Sequence, residues 1–368
     1  MAIGMPIAGG QPSSGMRLWS HSTRPPMPVG QRRWRLARRA AGGFGPRSRT
    51  RLAPGGRWDG PFRPYPGVTV HLEPEQRRLL GRARIGMLAL RGSGPPLVNP
   101  AAFHFGGGAL WMTTSRYAAK VALARRDPRA AFLVSPPEED GHGLLLQGLL
   151  ELYDPFSLPS HLRALAQGPG FALNLAGYAL KNALFVGGYL LDLARVPLAW
   201  WPQNRVLLRL RPDHARLVPA LAPPPAAPAR LPGVPPDLAL AVARCRVGQL
   251  CWLSAGRPVL ANVAWALDGP EVLVWLPSLP RPPRATAATL VVERHRLRST
   301  RVRGVALRGR LAPEESGREA LAARYEGGLP EGGTVLRLRP RRATWWRGFE
   351  VGGTRLHRDR GWAAGSMD

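Results

Sequence analysis

Two lysines, Lys120 and Lys181, stand among 50 arginines in this chain. A compact ammonium and a planar guanidinium suit different geometries, so a chain that writes Arg almost everywhere marks its two lysines for inspection. Lys120 closes the run Thr113, Thr114, Ser115, Arg116 … Lys120. Hydroxyls at a strand end, free amides at the start of the next helix and one mobile ammonium are the parts of an anion site. A solvated helix face is the alternative reading of Lys120. For Lys181 the sequence supplies no role.

These residues need a strand and a helix to hold them, and the pattern around them provides both. Residues 73–84 read as a short helix, 85–92 as a strand, then "GSGPP" as a turn. Strands follow at 97–105 and 109–114, joined by "GGG" (106–108), which lacks the spacing of a Rossmann phosphate loop. A helix from Ser115 to Arg126 puts Lys120 one and a half turns along. "AAFLV" (130–134) and 143–154 read as strands, 158–196 as two helices, and 204–218 as a closing strand. Residues 219–236 hold eight prolines in eighteen positions, a stiff linker and a domain boundary.

Beyond the linker the pattern recurs. "RIGMLALRGSGPPLVNPAAFHFGG" (84–107) aligns without a gap on "RVGQLCWLSAGRPVLANVAWALDG" (246–269), with Gly86/Gly248, Leu88/Leu250 and Pro96/Pro258 among the identities. "LLLQGLLEL" then matches "VALRGRLAP" (305–313), and "VLLRLRP" (206–212) matches "VLRLRP" (335–340). The ordered recurrence of blocks implies a duplication in which the second copy lacks most of the helical insert. The organisation expected is an Arg-rich disordered segment 1–66, a first domain 67–218 with insert 158–196, the linker 219–236, a degenerate second domain 237–348 and a tail 349–368.

The residues of the repeat unit resemble the pyridoxamine 5'-phosphate oxidase-like split β-barrel family. "LVNP" on a second strand, "LWMTTS" on a third, and "SRYAAKVALARRDPR" before the "AAFLV" strand carry the resemblance, most specifically from Thr113 to Arg129. It implies a mainly β (α+β) fold, two tandem six-stranded antiparallel Greek-key split barrels with a helical insert in the first. It implies FMN as cofactor, with deazaflavin or haem as alternatives, and a flavin-type oxidoreductase acting on an unidentified small organic substrate. Thr113, Thr114, Ser115, Arg116 and Lys120 would then hold the phosphate, and the strand at Asn99 and Pro100 would lie along the ring. The fused second barrel would act as the partner wall of an intramolecular pseudo-dimer. A non-catalytic flavin- or haem-binding protein of the same fold is the alternative.

Departures from the family limit the reading. The strand before the Thr113–Lys120 run carries no basic residue, which argues against pyridoxamine phosphate as substrate. In the second copy Pro282 or Pro283 stands where Lys120 would, and prolines end a helix; Arg281 and Arg284 remain as cations there. His104 is open to two readings, a catalytic or haem-ligating residue beside the ring or a hydrogen-bonded barrel histidine. Trp111, Trp265 and Trp275 read as core.

The totals exclude other classes. Net charge is +29, and residues 1–66 hold twelve arginines against one acid, Asp59. No RNA-recognition, helix-turn-helix or zinc-finger pattern accompanies the charge, so a basic nucleic-acid-associated protein is the least favoured class. Cys245 and Cys251 lack a second metal-spaced pair and read as reduced thiols in a cytoplasmic protein, with no metal site. The longest uncharged apolar run, Ala183–Leu191, is about half of a membrane span.

Overall fold

The computed structural model describes residues 70–135, 142–219, 231, 233–277, 285–294, 301–325 and 329–356. The Arg-rich segment 1–66, most of the linker and Arg281 to Arg284 lie outside the described residues.

Helix α1 (Pro74–Arg82) opens the first half, with Pro at its first turn and a reciprocal Glu73–Gln76 cap. Six strands follow: β1 (Ile85–Leu90), β2 (Leu97–Gly106), β3 (Ala109–Ser115), β4 (Arg129–Val134), β5 (Gly143–Tyr153) and β6 (Arg205–Val218). They close into an antiparallel barrel in the order β1-β2-β3-β6-β5-β4. Alternation along β2 and β3 sends Phe103, Leu110 and Met112 inward, where they meet Leu88, Phe132, Leu146 and Leu208. Phe103 and Phe132 pack edge to face at 5.1 Å between ring centres.

The second half repeats this plan strand for strand. After helix α6 (Pro236–Ala243) come β7 (Gly248–Ser254), β8 (Arg257–Asp268), β9 (Glu271–Leu276), β10 (Thr286–Arg294), β11 (Arg303–Pro313) and β12 (Thr334–Arg347). Their order is β7-β8-β9-β12-β11-β10, closed by pairing of β11 with β10 and β12. Even the register is kept: Gly86 faces Ala101, and 162 residues on, Gly248 faces Val263. The chain is therefore mostly β, two tandem six-stranded antiparallel barrels, with the helical insert in the first. Trp265 takes the inward position of Phe103.

Three elements differ from the sequence expectation. The helix carrying Lys120, α2 (Ala119–Arg126), starts four residues late, because Ser115 still pairs with Arg205 in the sheet and the Arg116 amide bonds the Asn204 carbonyl at 2.8 Å. Lys120 thus sits in the first helical turn. The insert is three helices, α3 (Leu158–Ala166), α4 (Pro169–Lys181) and α5 (Ala183–Leu191), continued by three single 3-10 turns up to Asn204; Gly168, at φ +58°, and Pro169 divide the first two. The segment read as a tail begins with a seventh strand, β13 (Glu350–Arg355), on the outer edge of β12. Among the described residues, helix α7 (Arg318–Ala322) is what stands in the second half where the insert stands in the first.

The two barrels share a third apolar core. Met87, Ala89 and Leu133 of the first barrel meet Cys251, Leu260 and Val291 of the second. Hydrogen bonds cross the seam from Gln147 to the Pro258 carbonyl (2.6 Å), from Thr289 to the Pro96 carbonyl (2.6 Å) and from Ser135 to Asn262 (3.0 Å). Pro96 and Pro258 occupy matching positions in the two repeats, so the same carbonyl accepts from the opposite barrel on each side.

Candidate functional site

The end of β3 is where the chemistry collects. Thr113 is half-buried under the insert, and Thr114 and Ser115 are both buried. The Thr113 hydroxyl accepts from Arg205 Nη2 at 2.6 Å and shares a hydrogen bond with the Tyr178 hydroxyl of α4 at 3.1 Å. Ser115 Oγ donates to the Ala199 carbonyl at 2.5 Å and accepts from the Tyr117 amide at 3.3 Å. The Tyr189 hydroxyl of α5 donates to the Trp200 carbonyl, and its ring lies 5.8 Å from the Arg205 guanidinium. The insert thus builds one wall of the site, a role the sequence left open.

Lys120 stands beside this network without joining it. Its side chain is half-buried, and no hydrogen-bond acceptor or carboxylate pairs with it among the described residues. Burial first, and the Arg205 charge second, push its amine down to about 8, while Glu293 from β10 of the second barrel pulls the other way. Helix α2 has no side-chain cap, and the Ala119 and Lys120 amides have no backbone acceptor among the described residues. Two neighbouring cations, two amides without a backbone acceptor and a hydroxyl thus meet at this junction, with Glu293 acting on Lys120 from the second barrel.

Arg116 has a different occupation. Its guanidinium grips Asp154 through both carboxylate oxygens, at 2.7 and 2.9 Å, and stacks on Phe156 at 4.2 Å. Arg125 joins the same carboxylate at 2.9 Å. Against the effect of burial, the Phe156 amide and then these arginines hold Asp154 below the usual carboxylate range. This pair fastens α2 to the strand end of β5. Asn99 and Pro100 sit half-buried on β2, opposite Leu88 and Met87.

His104 lies away from this group, beneath α4, where a Cβ on Gly177 would come within 2.6 Å of its Nε2. Burial, then Lys181, lowers its pKa. The sequence found no use for Lys181, and the structure supplies one. Its Nζ donates to the Leu80 carbonyl at the end of α1 (2.5 Å) and sits 4.1 Å above the Phe103 ring, while Asn182 Nδ2 donates to the Phe103 carbonyl at 3.2 Å. The second barrel reproduces the arrangement with Arg324. Its Nη2 donates to the Ala243 carbonyl at the end of α6 (3.0 Å), its guanidinium stacks on Trp265 at 3.7 Å, and the Tyr325 hydroxyl accepts from the Trp265 amide at 2.8 Å while donating to the Arg246 carbonyl. Lys181–Asn182 and Arg324–Tyr325 thus take matching places in the two barrels.

Cys245 is half-buried, Cys251 is buried, and burial raises both thiols, Cys245 to about 11. Neither has a thiolate-stabilising setting.

The fold is that of a tandem barrel protein in which Thr113, Lys120 and Arg205 gather at the strand–helix junction of the first barrel. No family model matches the chain, and no curated protein matches it. Solved structures similar to it are pyridoxamine 5'-phosphate oxidase-like, FAD-binding and F420 reductase proteins. A putative pyridoxamine 5'-phosphate oxidase from Listeria innocua is 15% identical, with 39% of this chain and 94% of that one covered at a TM-score of 0.26. An F420 reductase is 22% identical (38% and 94% covered, TM-score 0.26), and a haem storage protein from Vibrio cholerae is 16% identical (41% and 96%, TM-score 0.27).

Proposed function

We propose that the chain is a flavin-type oxidoreductase that binds one FMN, or a deazaflavin, at the β3–α2 junction of its first barrel and acts on a small organic substrate. What carries the reading is Lys120, a half-buried ammonium beside Arg205 that has no counter-charge bonded to it among the described residues. The residues fit a phosphate. Lys120 and Arg205 supply charge, the Ala119 and Lys120 amides supply directed donors, and the Thr113 hydroxyl, already oriented by Tyr178, can turn toward the ligand. Ser115 and Arg116 serve by fixing the junction, through Ala199 and Asp154 respectively, and buried Thr114 sets the strand end beneath them. Asn99 and Pro100, on β2, would lie along the ring, and the second barrel would act as the facing wall of a covalent pseudo-dimer.

When bound, such a cofactor supplies hydride transfer. The chain would orient it and exclude water: Tyr178 and Tyr189 cover the junction from the insert, and the second barrel would close the other side. Lys120 neutralises the phosphate, so its amine returns toward the ordinary lysine range on binding.

Mass spectrometry and absorption spectra of the cofactor that copurifies test the reading. A phosphorylated flavin or deazaflavin that Lys120→Ala fails to retain supports it. Retention by that variant as tight as by wild type overturns the assigned junction. A bound flavin that no reductant turns over would make the chain a binding module instead.

A further inference from the structure

Helix α4 is amphipathic the wrong way round, and α5 is apolar along almost its whole length. In α4 the polar residues Asn174, Tyr178 and Lys181 face the barrel: Tyr178 bonds Thr113, Lys181 bonds the Leu80 carbonyl, and Asn174 lies against Gly106. The outer face carries leucines instead, with Leu173 71% and Leu180 81% exposed. In α5 the Tyr189 hydroxyl turns inward to the Trp200 carbonyl, while Leu184 and Leu191 stand outside at 56% and 75%. Each leucine pair is seven residues apart, which puts it on one face of its helix. Residues 156–198 hold twelve of the sixteen exposed large apolar side chains among the described residues. The barrel does not require this surface, because the second barrel closes with the short helix α7 as the one helix described in its place. An exposed apolar face of this extent marks an interaction surface.

Charge identifies the occupant. From residue 155 to 204 the only acid is Asp192, which is 3% exposed, whereas Arg163 and Arg195 are exposed. The face is therefore apolar with a cationic margin, on a chain of net charge +29. Two such chains repel each other, and an anionic surface attracts either one. The helices have 13 and 9 residues, too short to cross a bilayer and suited to lying in its interface. We infer that the insert docks the protein on an anionic phospholipid membrane, with the leucines of α4 and α5 in the acyl boundary and the arginines among the headgroups.

The test sediments the full-length chain with vesicles of phosphatidylcholine alone and with a phosphatidylglycerol admixture, over a salt series. The wild type should partition at least about tenfold more onto the anionic vesicles, less so as salt rises. The double variant Leu173→Glu/Leu180→Glu should partition at least about tenfold less than wild type with an unchanged melting temperature, since both side chains already face solvent. Leu173→Ser/Leu180→Ser, which adds no negative charge, should lose in the same direction. Three outcomes overturn the inference: no sedimentation of the wild type; double variants that sediment like wild type, which would assign attachment to charge alone; or a wild-type dimer that the variants dissolve, which would make a second copy the occupant.

Discussion

The two lysines turn out to hold opposite offices, and each can be tested singly. Lys120→Ala should weaken binding of a phosphate-bearing ligand by about tenfold to a hundredfold, the loss of one charge-assisted hydrogen bond. Because the free amine titrates near 8, affinity for that ligand should fall as pH rises through this value in wild type and stay flat in the variant. A titration monitored by ligand absorbance checks both. Lys181→Met should cost about 1–3 kcal/mol, by orphaning the Leu80 carbonyl and removing a cation from the Phe103 face. Burial also lowers the Lys181 amine to about 8, below its unfolded value. From pH 8 to the unfolded lysine pKa the unfolded chain binds more protons than the native one, so the Lys181 contribution to stability rises with pH. The variant's melting deficit should therefore be larger near pH 10 than near pH 7.

At the scale of elements, one bulge recurs in both barrels. β5 shifts register between Gln147 and Gly148 and β11 between Arg308 and Gly309, opposite Pro212 and Pro340. A Cβ on either glycine would lie 1.9 Å from a carbonyl oxygen, that of Arg211 or of Arg339. Gly148→Ala and Gly309→Ala should each cost about 1–3 kcal/mol or more, measured by thermal melts. The sequence showed both glycines as repeat identities but not why they are needed, since the bulge forms only when a distant strand presents its proline. The same limit explains the rest. Strands and the barrel plan were legible because inward positions alternate and turns carry Gly and Pro. The start of α2 was not, because a sheet bond between Ser115 and Arg205, ninety residues apart, outlasts local helix preference. Thr113 and Lys120 could be singled out by residue type; Arg205, Tyr178 and Tyr189 could not, since only folding brings the insert onto β3.

Across the whole molecule, stability depends on a seam as dry as either barrel interior. Leu260 is 1% exposed within it. Leu260→Asp would bury a charge with no cation assigned to it, at a cost of about 3 kcal/mol or more. Limited proteolysis of the variant should free intact single-barrel fragments if the barrels hold their own cores, Phe103 and Trp265 remaining protected. The anchors on those two rings bear on how the halves came to differ. Lys181 and Arg324 mark one ancestral point within a connection that is long in one half and short in the other, with surplus chain both before and after the marker. The first half therefore differs by two independent segments pinned at a common knot, and either could be trimmed to the length of its counterpart while the other stays in place.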